Sequence, residues 1–363
     1  MKILHLSSEK TWRGGEQQIA YLIEEHLKTN VEIFVAVKIN SSFSAHCKSN
    51  KIPHIDLNFN GSFDFKTARK ISFFCKKNKI DFMHAHSGNS HSLGVISQWF
   101  GNKTPLILSR RVDFPIKKNA WAQWKYNHSC IKKIICVSDA IKNILAIDIL
   151  VKNKLVTIHS GIDLKKFDGV KSINFLRNKY EISDNKKLIG NTSAIAPHKD
   201  YFTFVDTCEL LIKENINAIF FIIGAGPMEQ EIKNYVQSKE LNEHIIFTGF
   251  LNNIPEVLPE LDIFLITSET EGLGTSIIDS FASKIPVVAT NAGGIAELVL
   301  NGKTGLLSDI KNPNALAKNI LKLMSDEILR SKITDGALDH LKNFTKEKTA
   351  AKTLAVYQDL LNN

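Results

Sequence analysis

The stretch SETEGLGTSIIDSFASKIPVVATNAGGIAELVLNGKTG, residues 268–305, decides how this chain is read. Just before it, LDIFLIT (261–267) is a short apolar run of the kind that forms a strand buried on both faces of a parallel sheet. The run breaks into a polar turn holding Glu271, Gly272, Leu273 and Gly274. Thr275 and Ser276 then offer hydroxyls to cap a helix with apolar positions Ile277, Ile278, Phe281 and Ala282. A second buried strand is expected at PVVAT (286–290), and the pair Gly293–Gly294 is expected to open a second helix. Two strand–glycine–helix units in tandem put helix N-termini along the carboxyl edge of one sheet. Free N–H groups and the helix dipole make that edge attract anions. Glu271 in the loop and Asp279 inside the helix add carboxylates that suit hydroxyl groups, so the stretch reads as a site for a phosphorylated, hydroxyl-bearing ligand.

This block resembles the retaining glycosyltransferases of family 4, which have the GT-B architecture. The family pattern S-x-x-E-G-F-G, a second acid eight positions after the first, G-x-P-V-V-A and G-G-x-x-E is met by Ser268, Glu271, Gly272, Gly274, Asp279, Pro286, Gly293, Gly294 and Glu297. The sequence departs from it with Leu273 for the usual aromatic, Asp279 for the usual Glu, and Lys284 where Gly or Cys is common. The resemblance implies an α/β chain of two doubly wound, Rossmann-like domains facing a central cleft. It also implies that Glu271 contacts the donor sugar and that Asp279 holds the ribose, one methylene shorter than usual.

The bulk properties agree with such a chain. Its 363 residues suit two domains, and 44% hydrophobic with 23% charged residues is an ordinary globular composition. No apolar run approaches the roughly 18–20 residues of a spanning helix. MKILHLSSEK meets charge too soon for a secretory signal and reads as the first strand. Five cysteines without CxxC spacing read as reduced thiols, and a cytoplasmic location follows, at the inner face of the cytoplasmic membrane. The net charge of +9 is uneven: residues 1–160 carry 24 Lys and Arg against 11 Asp and Glu, a surplus of 13 positive charges. The remainder has 22 against 26. A basic first half is expected to face something anionic: a membrane surface, a lipid-linked phosphate or nucleic acid. With no nucleic-acid motif present, the last is set aside.

In the first half, ILHLS (3–7) is a strand and TWRGGEQQ (11–18) its exit, where Gly14 and Gly15 allow close approach of a ligand to a helix beginning near Glu16. NFNGSFDF (58–65) clusters Phe59, Phe63 and Phe65 in a polar loop suited to a lipid-like acceptor. DFMHAHSGNS (81–90) is a strand on which His84 and His86 share a face. His84 reads as a core histidine. His86 lies at the exit, where an H-x-H ending in the family comes near the donor sugar or its phosphates. No third metal ligand has suitable spacing. Arg110 and Arg111 end the next strand, one expected to reach acceptor or phosphate and the other to be solvated. PIKKNAWAQWKYNHSCIKK (115–133) mixes Trp121 and Trp124 with lysines at helical spacing, the pattern of an interfacial helix. VTIHSGID (156–163) resembles the family's interdomain linker.

In the second half, the loop in KLIGNTSAIAPHKD (187–200) places Lys199 at the position of the family's diphosphate-binding Lys. The companion Arg position holds Ala194, so half of that clamp is missing. Gly224 and Gly226 precede Pro227 in a G-x-G-P loop expected to let a nucleotide lie against the sheet edge. Phe250 and Leu251 follow the family's strand–G–F element and are expected beside the base. Without a D-x-D motif, no metal and no cofactor is expected; Lys199 and the helix from Thr275 would stabilise the leaving diphosphate.

The domains expected are 1–163 for the acceptor, 164–345 for the nucleotide sugar, and a closing helix, 346–363, crossing back to the first. The implied function is retaining transfer of a sugar, a UDP-sugar favoured, to a glycan or lipid-linked acceptor, as in bacterial lipopolysaccharide, O-antigen or capsule synthesis. Catalytic roles fall to Glu271, His86 and Lys199. Donor contacts fall to Gly14, Gly15, Gly224, Gly226, Phe250, Leu251, Gly272, Leu273, Gly274, Thr275 and Asp279, and acceptor contacts to Arg110 and Arg111. Competing readings are an epimerase or hydrolase on the same fold, and an inactive scaffold.

Overall fold

The structure is a computed structural model in which residues 1–362 are described. The chain divides into two compact units: Met1–Gly161 together with the last helix, Lys346–Asn362, and Ile162–Thr345.

The first unit is built on a seven-stranded, all-parallel sheet. Its strands are β1 (Lys2–Ser7), β2 (Glu32–Lys38), β3 (His54–Leu57), β4 (Phe82–Ala85), β5 (Leu106–Arg110), β6 (Ile131–Cys136) and β7 (Leu155–Thr157). They lie in the order β3-β2-β1-β4-β5-β6-β7. The strands are nearly continuous apolar runs because helices cover both faces; Ile3, Leu4, Leu6, Val35, Met83 and Ile107 are fully buried. The chain reverses its winding direction between β1 and β4, and in such sheets the crevice at that reversal, outside the carboxyl ends of the strands, takes ligands. The last helix packs with this unit: Tyr357 is fully buried, with its hydroxyl oxygen 2.5 Å from His84 Nδ1. The buried Lys346 ammonium pairs with Glu24 at 2.7 Å.

The second unit has a six-stranded parallel sheet. Its strands are β8 (Lys187–Thr192), β9 (Ala218–Ile223), β10 (Ile245–Gly249), β11 (Ile263–Ile266), β12 (Val287–Thr290) and β13 (Leu306–Ser308), in the order β10-β9-β8-β11-β12-β13. Here the winding reverses between β8 and β11. All six residues of β9, AIFFII, are buried. The core under this sheet joins Phe204, Phe220, Leu265, Val288, Leu316 and Ile320, where one Leu→Ala change costs roughly 2–5 kcal/mol. The five cysteines are free and buried. Among the described residues, no helix is long and apolar enough to cross a membrane.

Candidate active site

At the reversal of the second sheet, the loops leaving β8 and β11 are tied together. Thr267 Oγ1 donates to the carbonyls of Lys199 and Asp200, at 3.1 and 2.9 Å, and Glu269 N donates to His198 O at 2.9 Å. This brings Lys199 Nζ onto Glu271 Oε2, with the two side chains only 12% and 15% exposed. Ser268 Oγ donates to the same carboxylate oxygen at 3.3 Å. The helix Thr275–Ala282 begins beside them. Its N-cap is Gly274, at φ +88°, a conformation costly for any residue with a Cβ. The expectation of a Thr275–Ser276 hydroxyl cap is therefore corrected: both lie inside the helix, whose first N–H groups carry no side-chain cap. Asp279 sits on this helix, where desolvation pushes its carboxyl up to about 7 against the opposing pull of Lys166.

The glycines divide into two kinds. Gly294 N donates to Glu271 O at 2.9 Å. A Cβ on Gly293 would strike that same carbonyl, and one on Gly294 would strike Gly272 O. The pair thus buttresses the Glu271 loop. As expected it also opens a second helix, with Gly294 as N-cap, though Ile295–Leu298 is only a single turn. Gly224 and Gly226 have a packing role as well. The space their missing side chains leave is filled by the carbonyls of Ser193 and Ile195, so they seat one loop on another. Leu273 is buried, so only its backbone is available to a ligand. Phe250, 74% exposed, and the half-buried Leu251 follow β10.

In the first unit the reversal gathers a second group. The helix Gly14–His26 starts two residues earlier than expected, at Gly14, with Glu16 Oε2 accepting from Arg13 N at 3.1 Å. A Cβ on Gly14 or Gly15 would meet open space. His84 is a core residue whose Nε2 lies 2.8 Å from Ser109 Oγ. His86 Nε2 lies 2.9 Å from Nδ1 of His5, a residue the sequence reading passed over. The signal was a lone polar residue in the buried strand ILHLS, and parallel register sets His5 beside His84. The nitrogens of His5, His84 and His86 come within 4.8 Å of one another, but both nitrogens of His84 already have partners. Burial holds all three imidazoles well below their usual pKa and so neutral. Neither arginine is the freely solvated side chain expected, Arg110 being buried and Arg111 half-buried. Arg110 is buried, its guanidinium 4.7 Å from the Phe114 ring, and donates to Tyr126 Oη at 2.8 Å. Arg111 donates to Ser160 Oγ at 2.8 Å.

Away from these loops, the aromatic segments foreseen separately in the sequence meet. Ring centroids run Phe63–Trp121 at 4.7 Å, Trp121–Trp124 at 5.1 Å, Trp124–Trp99 at 5.8 Å and Trp99–Phe65 at 6.1 Å. All but Trp121 are exposed, Phe63 and Trp99 by more than half. Phe59 is the exception among the foreseen rings, being buried in the core. The adjoining helix, Phe65–Asn78, turns Lys66, Arg69, Lys70, Phe73, Lys76 and Lys77 to solvent, with no acidic residue among them. The helix around Trp121 is shorter than the expected span, Ala120–Asn127, and Lys117 and Lys118 are exposed just before it.

Comparison with known proteins accords with this geometry. Residues 12–166 match the Glycosyltransferase Family 4 domain and residues 172–340 the Glycosyl transferases group 1 domain. An uncharacterized glycosyltransferase of Methanocaldococcus jannaschii is 28% identical over 99% of both chains. The Escherichia coli UDP-Gal:alpha-D-GlcNAc-diphosphoundecaprenol alpha-1,3-galactosyltransferase is 24% identical over 86% of this chain and 84% of that one. An Anabaena protein crystallised with UDP and glucose has a similar fold, with TM-score 0.85, 20% identity and coverage of 98% and 100%. With both domain matches in chain order on two parallel-sheet units, the chain belongs to the family 4/group 1 glycosyltransferases of GT-B fold, and is an enzyme that transfers sugars.

Proposed function

We propose that this enzyme moves a sugar from a nucleoside-diphosphate donor, UDP-linked in our reading, to a glycan or lipid-linked acceptor of bacterial surface polysaccharide synthesis, with retention of anomeric configuration. The observation that carries the reading is the convergence of Lys199, Glu271 and the start of the helix Thr275–Ala282 at the reversal of the second sheet. A diphosphate fits there because a cation and uncapped N–H groups both favour it. A nucleoside-diphosphate sugar would draw Lys199 onto the phosphates and free Glu271 for sugar hydroxyls. Lys199 and the helix start would then neutralise charge growing on the leaving diphosphate, the role a metal plays in other transferases. That oxyanion in turn helps take the proton from the acceptor hydroxyl on the same face of the sugar. Asp279 would accept from the ribose hydroxyls, and Phe250 and Leu251 would border the base. His86 would face the sugar as a neutral imidazole.

The UDP and glucose recorded with the Anabaena protein and the diphosphoundecaprenol acceptor in the name of the Escherichia coli enzyme support the donor and acceptor classes. The row of exposed rings beside seven cationic side chains supports contact of the first unit with an anionic membrane surface, at the cytoplasmic face where lipid-linked acceptors are elongated. A thermal-shift panel of nucleotide sugars tests the donor, because a ligand bound only by the native state raises its melting temperature. A panel in which no uridine nucleotide moves the transition removes the UDP reading. Transfer to a lipid-diphosphate sugar, with the product anomer read by NMR, tests the rest.

A further inference from the structure

The first unit holds a pocket of about 310 Å³ whose walls include Arg13, Gly15, His86, Gly88, Arg110 and Arg111. Its electrostatics are out of balance. Among the described residues, neither Arg110 nor Arg111 has a carboxylate within ion-pair distance. The Nε of each is buried without a hydrogen-bond partner, as is Nδ1 of His86. Guanidinium ions out of water are expensive unless paired, and this pocket holds a buried one, Arg110, and a half-buried one, Arg111, neither in an ion pair. Desolvation lowers the Arg111 pKa to about 10 against the opposing pull of Glu16. Of the carboxylates at the wall, Glu16 attracts Arg111 without forming an ion pair while it accepts from the backbone N–H of Arg13, and Glu9 is exposed at the rim, so the two arginines still outnumber the one carboxylate turned to them.

The backbone adds to the same sign. The helix Gly14–His26 presents its first turn to the pocket through Gly15 and Glu16, and the nine-residue helix Gly88–Ile96 does so through Ser87 and Gly88. A Cβ on Gly14, Gly15 or Gly88 would meet nothing within 4 Å, so the space in front of both helix starts is open. Two helix N-termini, two guanidinium ions outside any ion pair and a neutral imidazole with a free nitrogen make a cradle for an oxyanion.

We propose that this pocket binds a phosphate or carboxylate group carried by the acceptor, whose charge completes that of Arg110 and Arg111. The enzyme's acceptors are then anionic close to the hydroxyl that receives the sugar, as a glycosyl diphosphate or a phosphorylated polyol is. The proposal rests on reading the first unit as the acceptor side of a sugar transferase. The donor's own diphosphate is the other source of the same chemistry, and the experiment separates the two.

Inorganic diphosphate is titrated calorimetrically into the full-length protein with UDP held at saturation, so that any donor-side phosphate site is already filled. Diphosphate is expected to bind the UDP-saturated protein. Arg111→Gln is expected to weaken that binding by roughly tenfold or more while Arg111→Lys retains most of it, because a point charge still serves the anion. Gly88→Asp places a carboxylate in the open mouth, at a first-turn position that favours acids in a helix, and is expected to abolish binding in a protein that melts normally. It keeps the test decisive if Arg111→Gln folds poorly. Loss of diphosphate binding once UDP is present assigns the anion to the donor and overturns the proposal, as does unchanged affinity in both Arg111→Gln and Gly88→Asp. If UDP itself fails to bind, the transferase reading of the second unit fails instead, which the parallel UDP titration reports separately.

Discussion

Lys199 Nζ donates to Glu271 Oε2, joining two residues 72 positions apart in the chain that are expected to meet different parts of one substrate. The pair is mostly buried, and Ser268 supports the same oxygen. In the unliganded protein each charge therefore satisfies the other, and a diphosphate with its sugar has to replace both halves of the contact. Breaking such a pair from one side leaves a charge poorly solvated.

Glu271→Ala is expected to lower kcat by roughly a hundredfold or more while leaving the circular dichroism spectrum unchanged, since it removes a substrate contact at a loop held by backbone bonds. Lys199→Ala is expected to act on kcat to a similar degree. The double variant should lose far less than the product of the two, because paired residues act as a unit. Steady-state rates with one donor decide it, and near-normal turnover in Glu271→Ala would remove that residue from the mechanism.

Gly293→Ala is expected to cost roughly tenfold or more in activity, because its Cβ meets the Glu271 carbonyl and its φ of +52° disfavours a side chain. Gly61→Ala, also at positive φ but in open space, is the control for backbone strain alone. Equal activities for the two variants would show that the Gly293 contact does not position Glu271.

The Asp279 carboxyl gives a pH signature. Its pKa is about 7 in the folded protein, whereas an unfolded aspartate titrates near 4. Between these values the native state holds a proton that the unfolded state has released, so this group makes stability fall as pH rises from about 4 to 7 and adds no further slope above that. Asp279→Asn, with no proton to lose, should remove that slope. The check is the difference in melting temperature between wild type and variant, which should widen in the variant's favour from pH 5 to pH 7.

Vesicle flotation tests the ring-lined surface. The protein is expected to float with anionic phosphatidylglycerol vesicles and not with neutral ones, and to be released as salt rises, since each lysine near such a surface contributes about 1 kcal/mol. Lys66→Glu with Lys70→Glu should prevent flotation without changing the melting temperature, because both side chains are exposed. Trp99→Ala with Trp124→Ala should weaken it through lost apolar insertion. Equal flotation of all variants would place membrane contact elsewhere.

Local chemistry is what the chain carries openly. Apolar runs such as AIFFII and LDIFLIT can only be strands covered on both faces, and glycine-bearing loops after them mark the carboxyl edge. With the motif block 268–305, that was enough to read two parallel α/β domains, the family, and the neighbourhood of Glu271 and Lys199. Roles assigned to single glycines were less legible, because a missing Cβ serves a ligand or a neighbouring carbonyl equally well. Only the packing decided that Gly224 and Gly226 face Ser193 and Ile195 while Gly14 and Gly15 face open space. Register between strands, invisible along the chain, set His5 beside His84 and His86. Packing likewise left the Nε of Arg111 buried without a hydrogen-bond partner, which no sequence pattern announces. Residue type and spacing determine which groups a strand end can offer, because they act over a few residues. Tertiary structure alone decides which of those groups are already satisfied, because partners arrive from elsewhere in the chain.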